Sequence, residues 1–449
     1  MVNIMLRYLG IKTKLLEPIK AAVDNVTPHN GSVIDLFTGS STVAQYLMHD
    51  YTVFANDFQK YSYIAAKALI EYHSPAVINS LDFHTVFGKY YKENKNELSN
   101  RFSAPLSKEK ELLSKIGDTY FGEIFDEFTD YFDHSPYAGH TEIIHPIFSD
   151  CAAYYSLEEI EKYRINPERF PYSLFTLYYG NPYFSLHQCI EIDSIKYSID
   201  KLLKNHEITN ELHSIYMSFL IYSLNLIVVS VGDHFAQPQK IKPVQADFSG
   251  KRDAVYLRER KKIIGKKRIL VQDLYKEKLQ DYKLNYVSGN PANKAFNLDY
   301  KLLLADSSFK SLNITTAYID PPYTNAHYSR FYHIPETLVR YDYPEIEFFG
   351  RYRTDRYQSG FCIKSQALKE FKTLLKLCRE NSLNAVISYS NTAQCILTID
   401  DITSVCQEYY PQNVTINNVA HMYRNFGQKP NRVLAKEYII TCKTKERLP

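Results

Sequence analysis

The sequence contains no run of about 18 consecutive apolar residues, the length that a membrane-spanning helix requires. Its first residues, from Met1 to Tyr8, also lack the basic segment followed by an apolar segment that marks a secretory signal peptide. These two absences argue against a membrane or secreted protein. The chain is therefore expected to act in the cytoplasm.

Cysteine is scarce and never occurs as a CxxC pair, the spacing typical of structural zinc sites and redox centres. Neither a metal site nor a disulfide framework is expected, and the thiols are predicted to be buried and reduced. The seven cysteines are Cys151, Cys189, Cys362, Cys378, Cys395, Cys406 and Cys442.

Tryptophan is absent, and the formal net charge is only +3. The 39 tyrosines and 25 phenylalanines could stack on nucleobases, but most are expected in the core. Charge is distributed unevenly, since residues 251–268 hold nine basic and two acidic side chains. Such a block occurs both in solvated loops and in surfaces that contact nucleic acid, and the charge alone leaves both open.

Three segments have the pattern of a β-strand followed by a turn. Short β-branched runs that alternate with helical segments predict an α/β fold with a parallel, doubly wound sheet. A further strand is expected at 383–389, and a C-terminal hairpin from 414–422 and 433–442. The three strand–turn segments are 32–37, 51–57 and 315–320.

More than two hundred residues of different character separate the second and third strands. Residues 81–170 are rich in acids and aromatics, and 172–230 carry long apolar-periodic runs. The sequence therefore predicts a sheet domain from 1–80 plus 291–449, with a large, mostly helical insertion at 81–290.

The loop after the first strand is the first place to look for a ligand, because open α/β sheets bind ligands at the carboxyl ends of their strands. Gly39 can adopt a positive φ and lets a ligand approach the backbone. The loop has no GxGxxG motif, which disfavours a dinucleotide site. Asp57 follows Asp35 by 22 residues, a spacing that suits a ribose-binding acid. Adenosine without a pyrophosphate fits both features, although each residue alone could serve only a turn or helix cap.

The most specific motif is Asp-Pro-Pro-Tyr at 320–323, directly after the third strand. Two consecutive prolines cannot continue a ladder and hold the loop rigid and extended. The Asp320 carboxylate and the Pro321 carbonyl are suited to accept the two N–H bonds of an adenine amino group and expose its lone pair. Pro322 stiffens the loop, and the Tyr323 ring can stack on the base. A sulfonium methyl donor needs no metal, and in-line positioning supplies most of the remaining catalysis.

With these residues together, the chain resembles the adenine-N6 DNA methyltransferases that carry a DPPY motif. The resemblance covers approximately residues 5–75 and 300–440. It implies a Rossmann-like, S-adenosyl-L-methionine-dependent methyltransferase sheet and methylation of a flipped-out adenine in double-stranded DNA. It also implies that the cofactor contacts Tyr8, Gly10, Lys12, Asp35, Phe37, Gly39, Ser40, Asp57 and Asp306. Taken alone, Asp306 would be interpreted as a helix cap or turn residue.

Residues 328–342 and 233–238 are similar to the FokI-type branch, in which this region lies near the DNA. His333 is expected to be structural or to contact DNA, since the reaction needs no base. Two positions depart from the family pattern: Ser41 stands where glycine is usual, and Pro335 where an aliphatic residue is usual. The resemblance implies a restriction-modification or defence system, with a cognate nuclease as a possible partner.

Several alternatives remain at this point. Enzymes that methylate cytosine N4 usually have serine in place of Asp320, and enzymes that modify glutamine usually have asparagine. RNA is a further alternative substrate. A non-catalytic DNA-binding module on the same scaffold is disfavoured because Gly39, Asp57 and Asp320 are all present.

Overall fold

A computed structural model describes residues 12–117, 120, 122–242, 251–424 and 432–444. The strands of this described part are β1 (Ser32–Asp35), β2 (Thr52–Asn56), β3 (Lys294–Phe296), β4 (Thr316–Ile319), β5 (Ile346–Glu347), β6 (Tyr352–Arg353), β7 (Asn384–Ser390), β8 (Val414–Arg424) and β9 (Arg432–Cys442).

The helices up to residue 204 are α1 (Leu16–Val26), α2 (Thr42–Leu47), α3 (Lys60–Ile70), α4 (Pro75–Ser80), α5 (Phe83–Val86), α6 (Lys89–Arg101), α7 (Ser103–Lys115), α8 (Glu123–Asp133), α9 (Leu157–Ile165), α10 (Leu174–Tyr178) and α11 (Leu186–Lys204). The later helices are α12 (Asn210–Ile227), α13 (Lys251–Lys267), α14 (Val271–Asn285), α15 (Tyr300–Ala305), α16 (Tyr328–Phe331), α17 (His333–Arg340), α18 (Ala367–Glu380) and α19 (Ile399–Tyr409). Short 3₁₀ segments lie at Thr13–Leu15, Pro146–Tyr155, Val231–Asp233, Ser307–Leu312 and Gly360–Cys362.

The chain divides into two compact units. The first contains the residues up to 78, 286–331 and 356 onward, and the second contains 79–285 and 332–355. The insertion expected at 81–290 thus differs from the second unit, which also takes up 332–355. A physical reason is that the Tyr341 hydroxyl donates to the buried Asp193 Oδ1 at 2.6 Å, which makes the later segment part of this unit's core.

The first unit is built on a seven-stranded sheet of order β3-β2-β1-β4-β7-β9-β8. Strands β3, β2, β1, β4 and β7 are parallel, whereas β9 runs antiparallel to both β7 and β8. Every residue of β1, β4 and β7 is buried, as expected for strands covered on both faces. The predicted α/β fold and the C-terminal hairpin are both present.

The order of the strands reverses at β1. From β1 the chain proceeds to β2 on one side, while β4 lies on the other side. At such a switch point the loops leave the sheet in opposite directions and open a crevice at the carboxyl ends of the strands. The glycine loop follows β1, and the Asp-Pro-Pro-Tyr loop follows β4.

The second unit is mainly helical and has an aromatic core. The Tyr163 and Tyr343 rings stack with centroids 4.7 Å apart, and Tyr172 stacks on Tyr341 at the same separation. The tyrosine-rich composition therefore serves packing here. Among the helices of the described residues, none combines the length and the apolar character that crossing a membrane demands.

Candidate active site

A cleft of about 1020 Å³, counted with its open mouth, lies at the switch point within the first unit. Its wall is formed by the ends of β1, β2 and β4 and by the loops that follow them. The sequence-predicted residues that line it are Lys12, Asp35, Phe37, Gly39, Ser40, Asp57, Asp320, Pro322 and Tyr323. Residues that the sequence placed in separate motifs thus meet at one edge of the sheet.

The loop after β1 needs two residues in the left-handed backbone region. Gly39 has φ 50°, and Ser41, which directly precedes α2 as its N-cap residue, has φ 59°. Glycine adopts this region freely, but a residue with a Cβ is strained there. Ser41 therefore keeps the loop shape that the usual glycine would give, at a cost in conformational energy.

Asp57 holds this loop in place from the end of β2. The Gly39 N–H donates to Asp57 Oδ2 at 2.9 Å, and the Gln59 N–H donates to Asp57 Oδ1 at 2.8 Å. Burial raises the pKa of Asp57 to about 6, although both backbone hydrogen bonds oppose the rise. Each carboxylate oxygen has a second lone pair, so Asp57 can still accept from a ligand hydroxyl.

Asp35 lies at the end of β1 and is almost fully buried. The Phe37 N–H donates to its Oδ1 at 3.4 Å. Burial, together with the neighbouring Asp320 carboxylate, raises the pKa of Asp35 to about 8. At neutral pH and without a ligand, Asp35 is therefore mostly protonated and can donate as well as accept.

An aromatic pair in the lining went unnoticed in the sequence. The Phe58 and Tyr357 rings stack with centroids 3.9 Å apart, and the Tyr357 hydroxyl donates to Asp299 Oδ2 at 3.1 Å. Phe58 is 45% exposed, an unusual state for so large an apolar ring. Its position directly after Asp57 was the one available signal in the sequence.

Lys12 contacts the Asp-Pro-Pro-Tyr aspartate. Its Nζ lies 3.1 Å from Asp320 Oδ1 and 2.5 Å from Glu437 Oε1. Burial lowers the pKa of Lys12, but the two carboxylates raise it by more, so the pKa lies above its usual value. The cofactor role expected for Lys12 is thus joined by an ion pair with Asp320, which the sequence did not indicate.

The loop after β4 is fixed by contacts with residues 395–396. The Ile396 N–H donates to the Tyr323 carbonyl at 2.9 Å, and Thr324 forms a β-bridge with Cys395. The Tyr323 ring is mostly buried and meets Tyr389 edge-on with centroids 5.7 Å apart. Pro322 and Tyr323 line the cleft, while Pro321 is buried and does not contribute to the lining.

Asp320 sits at the centre of the charged groups of the cleft. Burial raises its pKa to about 6, with Lys12 opposing the rise and Glu437 adding to it. Among the described residues, no donor forms a well-directed hydrogen bond to Asp320 Oδ1. The carboxylate therefore keeps acceptor capacity on the side of the cleft.

One of the expected cofactor residues, Asp306, does not line this cleft. Asp306 is exposed and caps a 3₁₀ segment by accepting from the Ser308 N–H at 2.8 Å. Asp299, at the start of α15, is the acid from this part of the chain that lines the cleft. Tyr8 and Gly10 lie outside the described residues.

The basic block forms the whole of helix α13 in the second unit, and some of its side chains serve packing. Arg260 donates to the carbonyls of Lys242 and Tyr120, and the buried Lys267 Nζ donates to the Asn181 carbonyl at 2.6 Å. Lys266 and Arg268 donate to backbone carbonyls as well. The exposed basic side chains in the middle of the block are Arg258, Lys261 and Lys262.

The segments expected near the DNA are also partly structural. His333 is buried, and its Nε2 lies 3.0 Å from the Phe235 carbonyl. Asp342 binds the Arg353 guanidinium through both carboxylate oxygens at 2.5 and 2.8 Å. Pro335 lies in the first turn of α17, where the missing N–H leaves no helical bond unmade.

Comparison with known proteins agrees with this arrangement. Residues 8–164 match the family model described as D12 class N6 adenine-specific DNA methyltransferase. Type II methyltransferase M.FokI from Planomicrobium okeanokoites is 25% identical over 97% of this chain and 52% of its own length. Residues 8–164 of this chain are thus similar to the D12 class adenine-N6 DNA methyltransferases.

Two further methyltransferase relatives align over 90% of the chain. Modification methylase LlaI from Lactococcus lactis subsp. lactis is 23% identical over 49% of its own length. Modification methylase StsI from Streptococcus sanguinis is 24% identical over 46% of its own length. The chain spans about half the length of the curated relatives it matches. The D12 match includes the glycine loop and Asp57 and ends before Asp320.

Proposed function

We propose that this chain transfers a methyl group from S-adenosyl-L-methionine to the N6 amino nitrogen of adenine in double-stranded DNA. One observation carries the proposal: Asp320, at the carboxyl end of β4, lines the same cleft as the Gly39 loop after β1. A carboxylate that can accept a hydrogen bond from a purine amino group and a loop that suits adenosine thus share one crevice. The names of the relatives, modification methylases and a Type II methyltransferase, agree with this activity.

The residues of the cleft fit S-adenosyl-L-methionine. Gln59 Oε1 is buried and accepts no hydrogen bond from the residues described. Buried acceptors normally have donors, so this atom suits a ligand with hydroxyl or ammonium groups. Asp57 would accept hydrogen bonds from ribose hydroxyls, and the exposed Phe58 ring, backed by Tyr357, would stack on the adenine ring. When bound, the cofactor supplies a sulfonium methyl as the electrophile.

The loop after β4 would activate the nucleophile. The Asp320 carboxylate accepts one N6–H of adenine. The sequence assigned the other N6–H to the Pro321 carbonyl, but Pro321 is buried outside the lining, so a carbonyl of the adjoining loop residues that line the cleft is the acceptor we propose. Both bonds draw the nitrogen towards a tetrahedral shape and expose its lone pair. The Tyr323 ring holds the plane of the base, so positioning rather than acid–base chemistry lowers the barrier.

The target adenine must leave the duplex to reach this cleft, at a cost of a few kcal/mol. We assign the grip on the DNA backbone to the second unit, with the exposed side chains of α13 as candidates. A restriction-modification or defence system, with a cognate nuclease, is the setting that the relatives' names support. The cytoplasm is the expected place of action.

The activity is tested with tritiated S-adenosyl-L-methionine and mixed-sequence duplex DNA, followed by nucleoside chromatography. We expect label in N6-methyladenine. Asp320→Ala should lower the rate at least roughly 10- to 100-fold, because a charge-assisted hydrogen bond contributes about 1.5–3 kcal/mol. Cofactor affinity should stay within about twofold of the wild type, since the charge-assisted bond in question is made to the base.

A matched control is Glu408→Gln, which removes one surface carboxylate that pairs with Lys372 at 2.7 Å. It should leave turnover unchanged. Label found only in N4-methylcytosine or only in RNA would contradict the assigned substrate, and full activity in Asp320→Ala would contradict the assigned catalytic role.

A further inference from the structure

Three charged side chains from distant parts of the sequence meet beside the cleft. Lys12 Nζ lies between Asp320 Oδ1, at 3.1 Å, and Glu437 Oε1, at 2.5 Å. The Ser388 hydroxyl donates to the same Glu437 oxygen at 2.8 Å. Glu437 belongs to β9, which pairs with β7, so its position is fixed by the sheet.

Burying this cluster is energetically unfavourable, because charged groups lose their hydration. The Lys12 and Glu437 side chains are only 7% and 4% exposed, and one ammonium faces two carboxylates. A buried charge is destabilising unless its partners compensate it, and apolar side chains of similar size would often fill such a site at lower cost. Perturbed charged clusters that border a cleft are typical of functional sites.

The lysine is engaged more closely by Glu437 than by Asp320. Its distance to Glu437 Oε1 is that of a strong charge-assisted hydrogen bond, whereas Asp320 Oδ1 is contacted as an ion pair without a well-directed hydrogen bond. The positive charge is therefore near Asp320 without occupying its acceptor sites fully.

We propose that Glu437 is a positioning residue that holds Lys12 to one side of Asp320, so that the Asp320 oxygens remain available to the N6–H of the target base while the nearby Lys12 charge keeps Asp320 ionised. This inference rests on the proposed function, because it assumes that the free Asp320 oxygens bind the amino group of adenine. Glu437 itself touches neither substrate nor cofactor in this scheme.

The sign of the effect on Asp320 follows from the groups that face it. Within the described residues these are Lys12, Glu437 on β9, Asp35 at the end of β1 and Tyr318 on β4. Asp35 and Tyr318 are both neutral near pH 6, because burial raises the pKa of Asp35 to about 8 and that of Tyr318 well above its usual value. Lys12 lowers the pKa of Asp320, and Glu437 raises it.

Single-turnover methylation at saturating cofactor and DNA, measured as a function of pH, separates positioning from mere structural support. Wild-type activity should fall as Asp320 is protonated near pH 6. Glu437→Gln should move this acid limb to lower pH by roughly one unit. It should also lower the plateau rate about tenfold. Lys12 then donates fully to Asp320 and occupies an oxygen that would otherwise accept the N6–H bond, and losing one such hydrogen bond lowers the rate by about this factor. Lys12→Met should move the limb to higher pH by roughly one unit.

The surface variant Glu408→Gln removes the same charge at a distance and should leave the limb in place. A limb that does not move in Glu437→Gln, or that moves in the same direction as in Lys12→Met, would overturn the proposal. Should Glu437→Gln fail to fold, Glu437→Asp decides, since it keeps the charge but shortens the reach to Lys12. Its plateau rate should fall, and a wild-type rate there would contradict the positioning role.

Failure of this inference can be distinguished from failure of the proposed function. A wild type that transfers no methyl group to DNA contradicts the function. The effect of Glu437 is still measurable in that case by a ¹³C NMR titration of the Asp320 carboxyl carbon, assigned through Asp320→Asn. The pKa of Asp320 should be lower in Glu437→Gln than in the wild type, and equal values would overturn the inference.

Discussion

Asp57 performs a structural task and a proposed binding task with the same carboxylate. Its two oxygens accept the Gly39 and Gln59 N–H groups, and the residue lines the cleft. Asp306 has similar chemistry but lies outside the cleft as a helix cap. The two aspartates therefore form a natural pair for comparison.

Replacing Asp57 by asparagine should weaken S-adenosyl-L-methionine binding about tenfold or more, because hydrogen bonds to a charged acceptor contribute about 1.5–3 kcal/mol. Isothermal titration calorimetry measures the change in Kd. The control Asp306→Asn should bind the cofactor as the wild type does. Equal losses in both variants would count against a role for Asp57 in the cleft.

At the level of elements, the connection between β1 and α2 depends on two residues with positive φ. Only one of them, Gly39, is a glycine, and Ser41 is strained at φ 59°. Its hydroxyl is also buried without a hydrogen-bond partner among the described residues. Both features are unfavourable for a serine.

Ser41→Gly should therefore increase the free energy of unfolding by about 0.5–1 kcal/mol, since glycine adopts the left-handed region without strain. Urea denaturation at fixed pH measures the change. Ser41→Ala removes the hydroxyl but keeps the strained φ, so it should gain less. A glycine variant no more stable than the alanine variant would show that backbone strain is not the relevant term.

Helix α13 divides its basic side chains between internal bonds and the surface. Replacing the exposed Arg258, Lys261 and Lys262 by glutamine should weaken DNA binding and flatten its salt dependence. The slope of log K against log salt should fall by up to about 3 if each side chain neutralises one phosphate.

The control for α13 is Lys267→Met, which removes the buried donor to the Asn181 carbonyl. It should destabilise the protein while leaving the slope nearly unchanged. An unaltered slope in the triple variant would place the DNA on another surface.

For the whole molecule, the segment that follows α16 belongs to the second unit through buried contacts. Tyr341→Phe removes the hydroxyl donor to Asp193 Oδ1 and should destabilise this unit by about 1–3 kcal/mol. Hydrogen exchange should then become faster in α10 and α11. The control Tyr72→Phe, at a partly exposed ring of the first unit, should not change exchange in α10 and α11.

Much of the sheet was predictable because its signals are local. The β-branched runs at 32–37, 51–57, 315–320 and 383–389 correspond to β1, β2, β4 and β7, whereas the three-residue β3 gave too short a pattern. The ion pair between Lys12 and Glu437 joins residues 425 positions apart, and no local pattern can indicate such a contact. For the same reason the sequence did not indicate that Asp299 lines the cleft or that residues 332–355 belong to the second unit.

The path of the chain passes between the two units four times, so neither unit is encoded by one uninterrupted stretch of gene. A recombination event that exchanged only the stretch for residues 79–285 would separate Asp193 from the Tyr341 with which it is paired in this chain. An exchange of the second unit between related chains therefore has to carry both stretches together if the buried pair is to be kept.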